Sequence, residues 1–523
     1  MSYEKNSIVI NIGSYSTIVG FSNTELPSCV LPSSYMRKKS NNDEYIFDKY
    51  EMLQVASPRH HELNSEDYDV FTLVDNNGLP YNWEGIMKQW EYIFQEKLKC
   101  LTEEYPLVIV IPMISKTTQL RIIMEKYMEL AFDKFNFPII QFIIEPLATT
   151  LSMGKKNALI IDIGFNGCKI TPVYDGIIIK NGITKNKFGG SFLDYVVNNF
   201  IEKKLDDDDV EMGNDSDESI KTWWNSNTWI QDFKHSMLQV CDKDLGELER
   251  YYQEQETMYL KQQEQMKQLG GTGIVTGAVP AFNSNIINMT NNPLTQDKNY
   301  LYKPSARTIK LNQKEILNLT EYLFKPQLIS AKFNKDEGLS EIISKSIKKT
   351  AATLSSNNNS TKDSESGINE NETATTNSNS NMIRTVGASV IIPPKINRSN
   401  KSDNIDNNNN KSKFLDDPNL NHSMNENGSN TTTRTPELIY SSLLTNVIIT
   451  GSTSLILGME QRIIQELSIR FPQYKLITFA NQYMMDRSLQ NWLSGVTMSN
   501  LPTWELGRWY SRGEWTVAQS SLT

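Results

Sequence analysis

Two copies of one strand, turn and strand pattern constrain how this chain can fold. In the first copy "SIVINIG" is followed by "STIVGFSN", and in the second "ALIIDIG" is followed by "CKITPVYDG". Each copy has an apolar strand that closes on a small-residue turn, and a second strand follows. A unit that is duplicated in successive halves of a chain predicts a pseudo-symmetric, two-lobed molecule with a ligand cleft between the lobes.

The rest of the chain alternates strands with helices. The β-branched runs "LVIVIP" and "PIIQFIIEP" predict strands, and the helical patterns "TTQLRIIMEKYMELAFDKF" and "LATTLSMGKK" follow them. This alternation favours an α/β architecture with largely buried sheets. With 523 residues, the chain is long enough for about two to four domain-sized units.

Composition argues against several classes of function. The chain has 52 Lys and Arg against 61 Asp and Glu, a net charge of -9, so no global basic field attracts DNA or RNA. Nucleic acid would therefore be met through a partner. No apolar stretch reaches the roughly 18 to 20 residues that span a bilayer, so we expect an intracellular protein without a membrane partner. The 4 cysteines form no C-x-x-C pair, which argues against a zinc site and a disulfide framework.

Three segments differ from the rest in composition and are predicted to be inserts. Residues 206–219 form an acidic run that predicts a surface loop. Residues 249–298 predict a projecting helical arm plus a loop, with a partner-binding coiled coil as the alternative. Residues 354–434 are dominated by Asn, Ser and Thr and are predicted to be disordered. One continuous helical pattern leads into the arm through Trp229, Phe233, Met237, Val240, Leu245 and Leu248, and Gly270 is its predicted stop.

A third motif adds a second kind of ligand loop. In "NVIITGSTSLILGMEQRIIQEL" a β-branched strand ends in Gly451, Ser452 and Thr453, and an amphipathic helix follows Gly458. Small residues at such a turn let a ligand approach the backbone. In their order and separations, the two hairpins and this loop resemble the two phosphate loops and the adenosine loop of the actin family, within the actin, Hsp70 and sugar-kinase superfold. The segments "NWEGIMKQWEYIFQEKLKC", "FGGSFLDYVV", "YLFKPQLIS" and "WLSGVTMSNL" also resemble actin segments.

The resemblance implies the fold and its division into lobes. An actin-like fold is α/β, with two lobes that each contain a mixed sheet flanked by helices, and a cleft lies between the lobes. By the same resemblance, residues 1–155 with 492–523 form lobe one (subdomains 1 and 2). Residues 156–491 form lobe two (subdomains 3 and 4).

The resemblance also implies where a nucleotide would sit and where this chain departs from the family. Asn11 stands where the family has an acid on the first hairpin, Tyr15 replaces a glycine, and Ile18 replaces a lysine. Phe165 replaces the second acid, and Glu145 takes the place of a glutamine that positions water. Phosphoryl hydrolysis needs cation charge and an oriented water, so these changes predict a chain with no catalytic residues and no metal ligands.

Binding without hydrolysis is a separate question, and the sequence leaves it open. ATP bound without turnover is one interpretation, and a collapsed cleft filled by Tyr15 and Phe165 is the other. The candidate nucleotide-contacting residues of this degenerate cleft are Gly13, Ser14, Asp162, Gly164, Lys234, Gly451 and Ser452.

The function implied is that of a scaffold in a large assembly. "GFSNTELPSCVLPSSY", "TLVDNNGLPYNW" and "FPQYKLITFANQYMMDR" resemble a fungal class of actin-related proteins that pairs with actin-related protein 9 inside SWI/SNF and RSC chromatin-remodeling complexes. That class implies a non-catalytic nuclear subunit that supports transcription regulation. Its implied partners are an actin-related protein 9-like subunit, the helicase-SANT-associated helix of the remodeler ATPase and other complex subunits, with nucleosomal DNA reached only indirectly.

The resemblance places a partner-helix groove at the end of the molecule opposite the nucleotide cleft. Apolar and small residues suit a helix-in-groove site, although packing of the last helix on its own core is an alternative explanation for Met498 and Leu501. Two other functions remain open, namely an actin-fold nucleotide-binding protein with weak ATPase activity and a cytoplasmic cytoskeletal actin-related protein. The implied groove residues are Leu151, Gly154, Met498, Leu501, Thr503 and Trp504.

Overall fold

The structure is a computed structural model of the chain. It describes residues 6–38, 41–48, 68–207, 220–269, 292–302, 307–359, 435–480, 487–501 and 508–520. Among these residues, no helix is both long enough and apolar enough to cross a membrane. All four cysteines lie in the described ranges and are unpaired, with Cys168 and Cys241 buried and Cys29 and Cys100 half-buried.

Every strand that the sequence analysis predicts is present in the structure. Strand β1 is buried at every position, as expected for a strand that is covered on both faces of its sheet. The strands are β1 Ile8–Ile12, β2 Ser16–Phe21, β3 Cys29–Pro32, β4 Ser34–Lys38, β5 Asn41–Ile46, β6 Tyr68–Thr72, β7 Leu107–Ile111, β8 Ile139–Ile144, β9 Ala158–Ile163, β10 Cys168–Tyr174, β11 Ile177–Ile178, β12 Thr184–Lys185, β13 Asp297–Tyr302, β14 Arg307–Asn312, β15 Val447–Thr450, β16 Thr478–Phe479 and β17 Trp509–Ser511.

The helices lie between these strands in the chain. Short π-helical segments extend the first two helices, through Leu98 and Lys134 respectively. The α-helices are α1 Trp83–Tyr92, α2 Thr117–Met128, α3 Glu145–Ser152, α4 Gly190–Asp207, α5 Ile220–Met237, α6 Leu245–Leu269, α7 Gln313–Phe324, α8 Leu339–Asn359, α9 Pro436–Leu444, α10 Met459–Arg470, α11 Gln490–Ser499 and α12 Arg512–Ser520.

Two large mixed sheets repeat one plan. The first has the order β17-β8-β7-β1-β2-β3, and the second has the order β11-β10-β9-β15-β16. In each, an antiparallel hairpin, β1–β2 or β9–β10, has a parallel strand, β7 or β15, beside its first member. The first sheet falls within the residues assigned to lobe one and the second within those of lobe two. The predicted α/β fold and its pseudo-symmetric hairpins are therefore confirmed.

Two smaller sheets accompany the large ones. Strands β5-β4-β6 form a three-stranded sheet, and β13-β14 form a two-stranded sheet. The main core of lobe two is an extended cluster that includes Phe188, Phe233 and Trp229. The core of lobe one includes Trp90, Phe132 and residues of both its sheets.

The structure corrects the helical pattern that leads into the arm. The sequence predicts one continuous helix, but α5 ends at Met237 and α6 begins at Leu245. Between them the Val240 amide donates to the Leu457 carbonyl over 2.8 Å, which draws the chain into a strand-like bridge. The Asp244 carboxylate then accepts from the Gly246 amide over 2.9 Å and caps the new helix. Helix α6 is described as far as Leu269, and its predicted stop at Gly270 lies outside the described residues.

The predicted limits of the inserts shift in the structure. Helix α8 continues to Asn359, past the predicted start of the third insert at residue 354, because Leu354 is buried on the helix face that meets the core. Helix α4 continues to Asp207, two residues into the acidic insert. Strand β13 begins at Asp297, inside the range assigned to the arm and its loop. The remaining parts, residues 208–219, 270–291 and 360–434, lie outside the described residues.

Candidate functional site

A cavity of about 420 Å³ lies between the two lobes. This volume falls within the roughly 300 to 1,000 Å³ that is typical of small-molecule sites. The structure brings together six of the seven residues predicted for the nucleotide cleft. These residues are Gly13, Ser14, Asp162, Gly164, Gly451 and Ser452.

The two hairpin turns present matching backbone geometry to this cavity. The Gly13 amide donates to the Ser16 carbonyl over 2.9 Å, and the Gly164 amide donates to the Gly167 carbonyl over 3.0 Å. Gly451 follows β15 with a φ of 92°, and a Cβ there would lie 2.4 Å from the Ile163 carbonyl oxygen. Only glycine fits this position, because both the backbone conformation and the close approach of β9 exclude a side chain.

Lys234, the seventh predicted residue, does not line the cavity. Its ammonium pairs with Asp194 over 2.6 Å, and both side chains are largely buried. The ammonium also lies 5.9 Å from the centre of the Phe165 ring. Burial raises the pKa of Asp194, and the Lys234 charge opposes that rise. Lys234 therefore serves as the counter-ion of a buried carboxylate behind the second hairpin turn.

At the floor of the cavity, the amide of Asn11 stands where the family has an acid, and the carboxyl group of Glu145 stands where the family has a glutamine. The Asn11 side-chain amide donates to Glu145 Oε1 over 2.9 Å and to the Val110 carbonyl over 3.3 Å. Burial, and secondarily the nearby Asp162 carboxylate, raise the pKa of Glu145 to about 7. Burial raises the pKa of Asp162 as well. Glu145 is therefore a carboxyl group that titrates near neutral pH.

A lysine that the sequence analysis did not single out completes this floor. Lys169 projects from β10, and its ammonium donates to the Met113 carbonyl over 2.7 Å. Burial lowers the pKa of Lys169, whereas Glu145 and Asp162 oppose this change. These three side chains share a second chamber of about 10 Å³, which is about the volume that one water molecule needs.

Aromatic side chains occupy the space between the two hairpin turns. The rings of Tyr15 and Phe165 have their centres 5.1 Å apart at an angle of 51°. This is a favourable aromatic contact across the cleft. The two rings therefore occupy the gap between the turns, while the larger cavity beside the turns remains.

The chemistry of this floor differs from that of a metal-assisted phosphoryl-transfer site. Such a site uses carboxylates to hold a cation at the transferring phosphoryl group. Here the first hairpin offers an amide, Asn11, and the adjacent cation is the Lys169 ammonium. The described residues contain no group of three or more His, Cys, Asp or Glu side chains placed to hold a metal ion.

The residues predicted for the partner groove belong to the region of helices α3 and α11, which pack together. Ser152 of α3 and Ser494 of α11 share a hydrogen bond of 3.2 Å between their hydroxyl oxygens. Leu151 and Gly154 lie at the C-terminal end of α3, and Gly154 is exposed with a φ of 67°. A Cβ at Gly154 would meet no atom within 4 Å, so this surface is open.

The other groove residues come from the end of α11. Met498 and Leu501 are half-buried there, so each leaves part of its side chain accessible. Thr503 and Trp504 lie outside the described residues. Four of the six predicted groove residues therefore lie at or just beyond the C-terminal ends of the paired helices α3 and α11.

A comparison with protein families identifies the chain. The family model described as Actin matches residues 2–357 and 394–521. The chain belongs to the actin family. Actin-related protein 7 of Saccharomyces cerevisiae is 44% identical over 519 residues, which cover 98% of this chain and 96% of that protein.

Two further relatives match shorter parts of this actin-family chain. Actin-related protein 4 of Candida albicans is 27% identical over 198 residues, which cover 38% of this chain and 39% of that protein. A Schizosaccharomyces pombe protein named SWI/SNF and RSC complexes subunit arp42 is 29% identical over 189 residues. That match covers 36% of this chain and 41% of the relative.

Sequence reasoning missed two features of the actin-family cleft. One is Lys169, whose only signal is a lysine in the otherwise apolar strand "CKITPVY". The other is the turn from Asp75 to Gly78, "DNNG", which lines the cavity with Asn76, Asn77 and Gly78. Its composition predicts a turn, but nothing local indicates that it reaches the cleft.

Proposed function

We propose that this chain is a non-catalytic structural subunit of a SWI/SNF- or RSC-type ATP-dependent chromatin-remodeling complex in the nucleus, where it supports transcription regulation. The observation that carries the proposal is the similarity to actin-related protein 7 along 98% of the chain. The relative from Schizosaccharomyces pombe, which is named as a subunit of SWI/SNF and RSC complexes, supports the same context.

In this proposal the chain binds a helix of the remodeler ATPase. The partner is the helicase-SANT-associated helix, which lies in the groove formed by the ends of α3 and α11. An actin-related protein 9-like subunit binds beside it, so that the two related subunits form a heterodimer on one motor helix. Apolar anchors at i, i+3, i+4 and i+7 of a partner helix suit a groove lined by leucine, methionine and glycine.

The absence of catalysis in this proposal is supported by the floor of the cleft. Asn11 donates to Glu145 in place of presenting a carboxylate to a metal-bound nucleotide. Ile18 is buried and packs in the cluster under the first sheet with Trp492. A buried isoleucine supplies neither charge nor hydrogen bonds to a phosphate.

Binding of ATP without turnover is a second candidate activity for the same cleft. It is favoured by the cavity of about 420 Å³ and by the glycine and serine residues that line it. The proposal predicts that purified protein with Mg-ATP releases no phosphate above the background rate. Turnover that Glu145→Ala abolishes would contradict the non-catalytic assignment.

Affinity purification from nuclear extract tests the assignment to a complex. Tagged full-length chain is expected to recover a remodeler ATPase and a second actin-related protein, identified by mass spectrometry. Recovery of cytoskeletal proteins without remodeler subunits would contradict it.

A charge in the groove tests the binding site. Leu501→Asp and Met498→Asp are expected to lower the recovery of the ATPase at least about tenfold, because a buried unpaired charge in an interface is costly. Ile469→Asp is the matched control, since Ile469 is an exposed apolar side chain near the end of α10. Equal recovery by all three variants would show that the motor helix binds elsewhere.

A further inference from the structure

Two kinds of contact join the lobes. On one side of the cleft the lobes share a hydrophobic core, because Ala158, Ile160 and Val173 of lobe two pack in the core cluster of lobe one. This shared core forms the hinge side of the cleft, because its contacts would be kept whether the cleft were open or closed. The polar and aromatic contacts on the cavity side need the lobes to be close together.

Lys169 makes the most deeply placed contact on the cavity side. Its side chain extends from β10 in lobe two to the Met113 carbonyl in lobe one, over 2.7 Å. The same ammonium faces Glu145 of lobe one and Asp162 of its own lobe in the small polar chamber. A charge-assisted hydrogen bond in such surroundings is stronger than one exposed to water.

The turn from Asp75 to Gly78 makes a second set of contacts. The Asn166 side-chain amide donates to the Asp75 carbonyl over 3.1 Å, and Lys185 Nζ donates to Asn77 Oδ1 over 3.3 Å. The turn is internally ordered, because Asp75 Oδ1 accepts from the Asn77 amide over 2.8 Å. Lobe two therefore holds an ordered turn of lobe one at two points.

The aromatic pair makes a third contact at the mouth of the hairpin turns. Tyr15 belongs to the first turn and Phe165 to the second, so their contact directly joins the two loops. The Phe165 carbonyl accepts from the Ser191 amide over 2.9 Å at the start of α4, which fixes the position of this turn in lobe two.

We propose that the protein's own side chains hold this cleft closed, with Lys169 as the central tie, so that closure of the two lobes does not require a nucleotide. The tie, the Asp75–Gly78 turn and the Tyr15–Phe165 pair each join lobe one to lobe two on the cavity side. Together they supply charge, hydrogen bonds and packing at the places where the lobes face each other.

Hydrogen–deuterium exchange on the full chain tests this proposal. Peptides that cover the Asp75–Gly78 turn and the Gly164–Gly167 turn report opening of the cleft. Lys169→Met keeps the length of the side chain but removes the ammonium, and it is expected to speed exchange of these peptides about tenfold. In the unsubstituted protein, saturating Mg-ATP is expected to leave their exchange unchanged.

Lys180→Met is the matched control for the lost charge. Lys180 also crosses to lobe one, where its ammonium donates to the Ser115 carbonyl over 3.2 Å, but this contact is exposed. Its loss is expected to change exchange at the two turns less than about twofold, because exposed charged contacts contribute little. Asn166→Asp, which removes the amide donor to Asp75, is a second variant in case Lys169→Met folds poorly, and it is expected to speed exchange at the Asp75–Gly78 turn.

Two results would overturn the proposal. One is strong protection of both turns by Mg-ATP in the unsubstituted protein, which would mean that a nucleotide drives closure. The other is equal exchange in Lys169→Met, Asn166→Asp, Lys180→Met and the unsubstituted protein. Neither result would bear on whether the chain belongs to a remodeling complex.

Discussion

At the scale of single residues, Glu145 shows how the surroundings of a side chain in the cleft change its chemistry. A hydrogen bond joins the side chains of Asn11 and Glu145. Asn11, on the first hairpin, supplies the amide, and Glu145, at the start of α3, supplies the carboxyl group. Burial and Asp162 raise the pKa of Glu145 from 4.5 to about 7. In the folded state Glu145 therefore binds a proton across a pH range in which the unfolded chain has already lost it.

This shift predicts how stability depends on pH. Because the folded state binds more protons between pH 4.5 and about 7, the free energy of unfolding falls as the pH rises through this window. Glu145→Gln mimics the protonated form, so it is expected to match the unsubstituted protein at pH 5 and to exceed it at pH 8. The expected difference is on the order of 2 to 3 kcal/mol, at about 1.4 kcal/mol per pKa unit.

Urea denaturation at the two pH values measures this difference. Glu103→Gln, at an exposed carboxylate outside the cleft, is the control and is expected to change stability equally at both pH values. A gap between Glu145→Gln and the unsubstituted protein that is the same at pH 5 and pH 8 would contradict the predicted titration.

At the scale of elements, the attachment of α11 to the first sheet fixes the helix that carries part of the proposed groove. Trp492 of α11 is buried, and its indole nitrogen donates to the Val9 carbonyl over 3.0 Å. Gly495 lets the helix approach the sheet, because a Cβ there would lie 2.4 Å from Val110 Cγ2 and 3.0 Å from Val9 Cγ1. The helix therefore packs on the sheet through the large side chain of Trp492 and through Gly495, which has no side chain and so allows the close approach.

The contact at Gly495 predicts an overpacking effect. Gly495→Ala is expected to lower the free energy of unfolding by about 1 to 3 kcal/mol, because the side chains of β1 and β7 must shift. Gly513→Ala is the control within helix α12, where a Cβ would meet nothing within 4 Å. That control is expected to leave stability unchanged or to raise it by up to about 1 kcal/mol. Equal stability of the two variants would show that α11 does not lie this close to the sheet.

The elements also show which parts of the structure a sequence can predict. Strands β1, β7 and β9 were predictable because burial on both faces leaves mainly apolar runs that are rich in β-branched residues. The turns at Gly13, Gly164 and Gly451 were predictable because close backbone approach requires small residues. These signals are local, so the two hairpins and the cavity they line followed from the sequence.

The remaining features depend on partners that are distant in the chain. Apolar periodicity continues through residues 238–244, and the helix breaks there because Val240 pairs with Leu457. The sequence analysis assigned Lys234 to the cavity, but its ammonium forms an ion pair with Asp194. Lys169 gains its place from Met113, in the other lobe. Tertiary packing decides which distant residue each of these groups contacts, and neither periodicity nor spacing in the sequence indicates that partner.

At the scale of the whole molecule, helix α3 connects the cleft to the proposed groove. It begins at Glu145, on the floor of the cavity, and its last turn carries Leu151, a residue of the proposed groove. A helix of eight residues spans about 12 Å and transmits a displacement of one end to the other. Closure that is fixed by the cleft side chains would therefore also fix the end of α3 against α11, and would prepare the groove for its partner.

This connection predicts that a change in the cleft weakens binding in the groove. Given the proposed motor helix as the partner, Lys169→Met is expected to lower affinity about three- to tenfold, although Lys169 does not touch the groove, because an open cleft must close before the helix binds. Lys180→Met is expected to leave affinity unchanged, and Leu501→Asp to abolish binding. Fluorescence anisotropy with a labelled motor-helix peptide and the full chain measures all three. If Lys169→Met speeds exchange at the cleft turns and yet binds the peptide with unchanged affinity, then closure and groove are independent, and α3 does not couple them.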